Sequence, residues 1–191
     1  MLLLALVGLC AHTVPLAGGS LSALADVRLR GSWILVLALG VQVVIISILP
    51  GGSETLHRVL HLSTYAGAAV FLFANRRIRG LGVVAAGGAA NAVAIAANGG
   101  VMPASASAMS AAGLHASSAF VNSGAVVHAR LSFLGDILAV PSWMPLHNVY
   151  SIGDVIIVAG AAIALHSICG SRLAQRPPVP SGYDASSASA S

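Results

Sequence analysis

Two aspartates are the residues of this 191-residue chain best suited to chemistry. Asp136 follows Leu134-Gly135, and Asp154 closes Ser151-Ile152-Gly153-Asp154. Two carboxylates that share a site split their pKa values, so that one serves as acid and the other as base. Local roles compete with that chemistry. Ser151 and Asp154 have the spacing of a capping box, in which the carboxylate accepts from a helix N-terminal amide and gains from the helix dipole. Asp136, after a glycine, is placed to cap a turn. The spacing favours structural roles for both, with an interfacial hydrolase using Asp136 and Asp154 as the alternative. A hydrolase requires both carboxyls to face one cleft, whereas a cap requires Asp154 to accept from the amide of Ser151.

Glu54, His57 and His61 form a second constellation. Spacings of three and four put all three on one helical face, and paired histidines of this kind occur in metal sites of helix bundles. His115, His128 and His147 are the residues that could complete a ligand set. The motif occurs once, and Glu54 also stands four residues before Arg58, so interfacial histidines with an exposed Glu54–Arg58 pair are the favoured reading and no cofactor is predicted. Gln42 and Asn91, polar residues within apolar runs, are expected to hydrogen-bond to each other across two helices. Asn98-Gly99-Gly100-Val101-Met102-Pro103 reads as a helix C-cap and sharp turn, with Asn98 as a candidate binding contact. Cys10 and Cys169 fall inside apolar runs and read as packing residues.

Five apolar runs must position these groups: Met1–Leu16, Trp33–Pro50, Leu56–Ala74, Leu81–Ala97 and Ile152–Cys169. Apolar residues make up 57% of the chain and charged residues only 7%, too few to clothe an ordinary water-facing domain. A helix of about 20 apolar residues spans a bilayer core, so the expectation is an all-α polytopic membrane helix bundle of five transmembrane helices. Leu21–Arg30 reads as a short amphipathic helix. Gly82, Ala86, Gly87, Gly88 and Ala90 give the fourth helix a small face that places it centrally. Residues 98–150, long and nearly uncharged, form an extracytoplasmic cap between the fourth and fifth helices. Residues 1–172 make one domain, and the Pro- and Ser-rich residues 173–191 a disordered cytoplasmic tail.

All nine basic residues are arginines. With alternating helices, Arg28, Arg30, Arg76, Arg77, Arg79, Arg172 and Arg176 share one side, and only Arg58 and Arg130 the other. The positive-inside rule then gives a plasma-membrane protein with its N-terminus outside and its C-terminus in the cytoplasm, and the absence of lysine beside abundant Ala, Gly and Val points to a GC-rich bacterial genome. The net charge of +4 is distributed between helices, which is not the footprint of a nucleic-acid binder. The expected partners are the lipid bilayer and another membrane protein.

Three motifs, NGGVMP (Asn98–Pro103), LGDILAVP (Leu134–Pro141) and SIGDVII (Ser151–Ile157), resemble an uncharacterised family of small bacterial multi-pass membrane proteins, a domain of unknown function. That resemblance implies the architecture and no activity. A second likeness is to signal peptidase II, whose catalytic aspartates lie at the outer interface. Asn148 to Asp154 is similar in placement to the motif opening that family's last helix, with Asp136 as partner. This chain departs from it in lacking the Gly-Asn-x-x-Asp-Arg motif and in carrying Gly153 where alanine is expected. The resulting reading is a non-enzymatic membrane component with an outward binding or assembly surface. An interfacial hydrolase comes second and a small-molecule transporter third, since no internal repeat is present.

Overall fold

The computed structural model describes residues 2–44, 54–114, 123–124 and 128–174. Two helices at its centre, α4 (Leu81–Ala97) and α6 (Ile152–Ile168), pack together more extensively than any other pair of elements. Small residues make this possible. Gly87, Asn91 and Ala94 share the buried face of α4, and Gly153, Gly160 and Ala164 that of α6. A Cβ on Gly87 would sit 2.5 Å from the carbonyl oxygen of Gly153, and one on Gly153 would strike Oδ1 of Asn91. The helices therefore touch backbone to backbone, where any side chain would hold them apart.

The other helices attach to this pair. α1 (Leu2–Leu16) lies on α6, α3 (Glu54–Ala74) lies on α4, and α2 (Ser32–Val43) packs on α3. Between α1 and α2 only a four-residue 3-10 turn forms, Leu21–Leu24, in place of the expected amphipathic helix. Gly31 and Gly80, both left-handed at φ 70° and 94°, turn the chain into α2 and α4. Beyond α4 the chain makes short strands. β1 (Met102–Pro103) pairs in parallel with β2 (Ser123–Gly124), and α5 (Ala106–Ala111) is capped by Ser105. β3 (Asp136–Val140) and β4 (Asn148–Ser151) form an antiparallel ribbon with a bulge between Asp136 and Leu138. Ala108 and Ala112 pack with Val149 beneath it.

This architecture corrects the expected membrane bundle. Among the described residues no helix is both long and apolar enough to cross a membrane. α4 and α6 have 17 residues each, about 26 Å at the usual rise, against a hydrocarbon core of ~30 Å. α4 is held to that length by Gly80 before it and by the turn at Asn98-Gly99-Gly100 after it, and α6 by its cap at Ser151 and the turn at Gly170. α1 has 15 residues and α2 has 12. α3 is longer at 21 residues, but its first turns hold Glu54, His57, Arg58 and His61. Apolar composition was legible in the sequence, whereas helix length is set by these capping and turn residues. The multi-pass plasma-membrane placement and the outside-to-inside orientation fall with the crossings. The fold is also not all-α, because the presumed cap contains two pairs of strands. Residues 45–53, within the second expected span and the turn after it, and 175–191, most of the expected disordered tail, lie outside the described residues.

Candidate functional site

Both aspartates come to Ser151. Asp136 opens β3 and stands opposite Ser151 in the β3–β4 register. Ser151 is also the N-cap of α6. Its hydroxyl accepts from the amide of Asp154 at 3.0 Å, and its own amide donates to Asp154 Oδ2 at 3.1 Å, completing the capping box. Strand pairing thus delivers Asp136 to the helix start that the i, i+3 spacing assigns to Asp154.

Asn91 of α4 closes the cluster. Its Nδ2 donates to Asp154 Oδ1 at 2.8 Å, and its Oδ1 accepts from the Ser151 hydroxyl at 2.8 Å. Ser151 is fully buried, Asn91 and Asp136 nearly so. A buried polar group is costly unless hydrogen-bonded, and these bonds satisfy Ser151, Asn91 and Asp154 with one another. The expected pairing of Asn91 with Gln42 falls on a side chain, that of Gln42, which lies outside the described residues. Gly153 on the α6 backbone presses against Asn91, which fixes the amide toward Ser151 and Asp154.

Tyr65 completes the surroundings from α3, packed beside Ala94, Ile95 and Met102. Burial pushes its phenol up to about 12, and the charges of Asp154 and Asp136 add to the effect. It is a neutral hydrogen-bonding group at physiological pH and not a base. Nothing in the sequence marked Tyr65, which stands 71 and 89 positions before the two aspartates (136 − 65 and 154 − 65).

The geometry therefore makes Asp154 a cap and an interhelical acceptor, with one oxygen held by a backbone amide and the other by a side-chain amide. Asp136 is buried alongside it, and its backbone oxygen accepts from the amide of Ser105 at 3.0 Å. Asn98 is engaged as well. Its Nδ2 donates to the carbonyls of Ala94 and Arg130, each at 2.7 Å, and its Oδ1 accepts from the amide of Arg130 at 2.8 Å. It ties the end of α4 to the segment before β3.

The metal candidates are only partly placed. Glu54, His57 and His61 stand on α3, but their side chains lie outside the described residues, as does all of His115. His128 and His147 are exposed. Among the described residues no three His, Cys, Asp or Glu side chains gather as metal ligands do.

A second polar group was not foreseen in the sequence. His166 of α6 is buried, with Nε2 3.0 Å from the Thr13 hydroxyl of α1 and Nδ1 2.7 Å from the Ser171 hydroxyl. Thr13 already donates to the Cys10 carbonyl at 2.7 Å. A neutral ring must then donate from Nε2 and accept at Nδ1 from Ser171. The constituents resemble those of a nucleophilic site, but Ser171 is fully buried, so the arrangement clamps α1 to α6.

Compared with known proteins, residues 26–166 match the profile of a family of unknown function (DUF5317), and the chain belongs to that family. No curated protein matches it, and no solved structure does.

Proposed function

We propose that the protein is a non-enzymatic component that docks on a lipid surface without a helix crossing it. One observation carries this reading. α2 is uncharged and leaves Trp33, Val36, Leu37 and Leu39 between 58% and 71% exposed, directly after Arg28 and Arg30. Exposed apolar patches of this kind mark contact surfaces. Tryptophan beside arginine, leading into an apolar helix, suits the boundary between headgroups and acyl chains. The occupied oxygens of Asp154 support the non-enzymatic part, because a carboxylate fixed by two donors is a poor candidate for proton transfer.

The test uses Trp33 as its own reporter. In a Trp143→Phe background it is the chain's remaining tryptophan. Phosphatidylcholine vesicles should shift its emission to shorter wavelength and carry the protein upward in a density gradient. Leu37→Asp should abolish both effects while thermal unfolding stays cooperative. Unshifted emission and protein left at the bottom of the gradient would overturn the reading, and a stable complex with a protein partner instead would assign α2 to that partner.

The hydrolase reading of Asp136 and Asp154 has narrower support, the meeting of both residues at Ser151. It requires Asp154 to exchange its present donors for a substrate or a water. A transporter would need crossing helices, and among the described residues there are none.

A further inference from the structure

Four of the nine arginines converge on one cavity. Arg28, Arg30, Arg76 and Arg77 line a space of about 230 Å³ together with Ala74, Asn75 and Ile78. The basic residues come from two separate segments, the approach to α2 and the turn after α3. A buried asparagine joins them. Asn75 Oδ1 accepts from the amide of Arg30 at 2.9 Å, while its Nδ2 donates at 2.8 Å to the carbonyls of Arg30 and Phe71. Arg76 is also held, with its guanidinium 4.3 Å from the centre of the Phe73 ring and Nη1 donating to the Phe73 carbonyl at 3.2 Å.

The end of α3 accounts for part of this, since cations are favoured at a helix C-terminus. It does not account for Arg28 and Arg30, which belong to another segment and reach the cavity because Asn75 pins the backbone there. Among the described residues no acidic one lines the space; Asp26, the nearest in sequence, is not among its walls. Four like charges around one cavity repel unless an anion lies between them. Guanidinium groups present paired N–H donors that match phosphate oxygens.

We infer that this cavity binds a phosphate-bearing anion, either a lipid headgroup or a phosphate free in solution. The headgroup source rests on the lipid-surface reading above, whereas the site itself does not.

The experiment uses the full chain with two probes. Inorganic pyrophosphate is titrated calorimetrically at low salt, and flotation is compared on phosphatidylcholine vesicles with and without phosphatidylglycerol. The variants are Arg28→Gln/Arg77→Gln and, as a control of the same charge type outside the cavity, Arg79→Gln, whose Nη1 donates to the Ala174 carbonyl at 2.6 Å. At roughly fivefold per arginine, the double variant should lose about 25-fold in pyrophosphate affinity, in the gain from phosphatidylglycerol, or in both. Arg79→Gln should lose far less, and its binding to neutral vesicles should match that of the parent. Pyrophosphate binding alone assigns a free anion, and a phosphatidylglycerol gain alone assigns a headgroup. Pyrophosphate binding by a protein that floats on no vesicle would overturn the lipid reading and keep the site. Flotation on neutral vesicles with neither anion effect would overturn the site and keep the lipid reading. Losses in Arg79→Gln equal, per charge removed, to those of the double variant would reduce the cavity to diffuse surface charge and overturn it as well.

Discussion

Ser151 performs three tasks with one side chain and one amide: it faces Asp136 across the ribbon, caps α6 and donates to Asn91. Ser151→Ala removes the cap acceptor and leaves Asn91 Oδ1 without its donor in a buried place. The expected cost is about 1–3 kcal/mol, read as a lower midpoint in urea with an unchanged slope. Tyr65 offers a test by pH. Its folded value of about 12 stands above the ordinary 10.0, so the neutral phenol's contribution is complete below pH 10. It is lost as pH rises toward 12, because the unfolded chain releases that proton first. The alkaline fall in stability between pH 10 and 12 should flatten in Tyr65→Phe; an identical fall in both proteins would place the titrating group elsewhere. Of these residues, the sequence disclosed the Ser151–Asp154 box because a cap is written within four positions. Asn91 lies 60 residues from Ser151 and Tyr65 farther still (151 − 65), and no spacing rule reaches that far.

Helix bounds were more legible than helix roles. Leu81–Ala97 is an apolar run in the sequence and is α4 with the same ends, since Gly80 and Asn98-Gly99-Gly100 stop it on both sides. Its small face was legible too, but not which glycine matters. Gly87 meets the backbone of Gly153, whereas a Cβ on Gly88 has nothing within 4 Å. Gly87→Ala should therefore lower the melting temperature, and Gly88→Ala should leave it unchanged or raise stability by up to about 1 kcal/mol. Equal losses at both sites would contradict the α4–α6 contact. The strands escaped detection because they are only 2 to 5 residues long. Pro141 and Pro145 also interrupt the alternation between β3 and β4.

The architecture hangs on α4 and α6, and α1 is tied to it through Thr13, His166 and the backbone bonds Ser20 N to Cys169 O at 2.9 Å and Arg172 N to Ala17 O at 3.0 Å. His166→Ala should loosen this junction by about 1–3 kcal/mol. Protease cleavage near Gly18–Ser20 should then become faster while the α4–α6 pair stays protected from hydrogen exchange. Cleavage no faster than in the parent would show that packing alone holds α1. Whole-chain composition pointed to a bilayer, and composition is blind to where helices stop. The fold answers with α-helices of 6 to 21 residues and turns that composition does not record.

The asparagine clasp occurs twice. Asn75 holds the amide and carbonyl of Arg30, Asn98 those of Arg130, and each also donates to the carbonyl four residues back. Every clasp depends on an Nδ2 group that hydrolysis would replace with an oxygen, and asparagine is a thermolabile residue. Asn98 is the more vulnerable because glycine follows it, leaving its side chain open to attack by the next backbone nitrogen. The molecule therefore carries a clock. With storage, deamidation at Asn98 turns a donor into an acceptor facing two carbonyls, and the tether between α4 and the chain before β3 lets go. Aged protein separated by charge should show the mass change at Asn98 before Asn75, together with new protease sensitivity around Arg130.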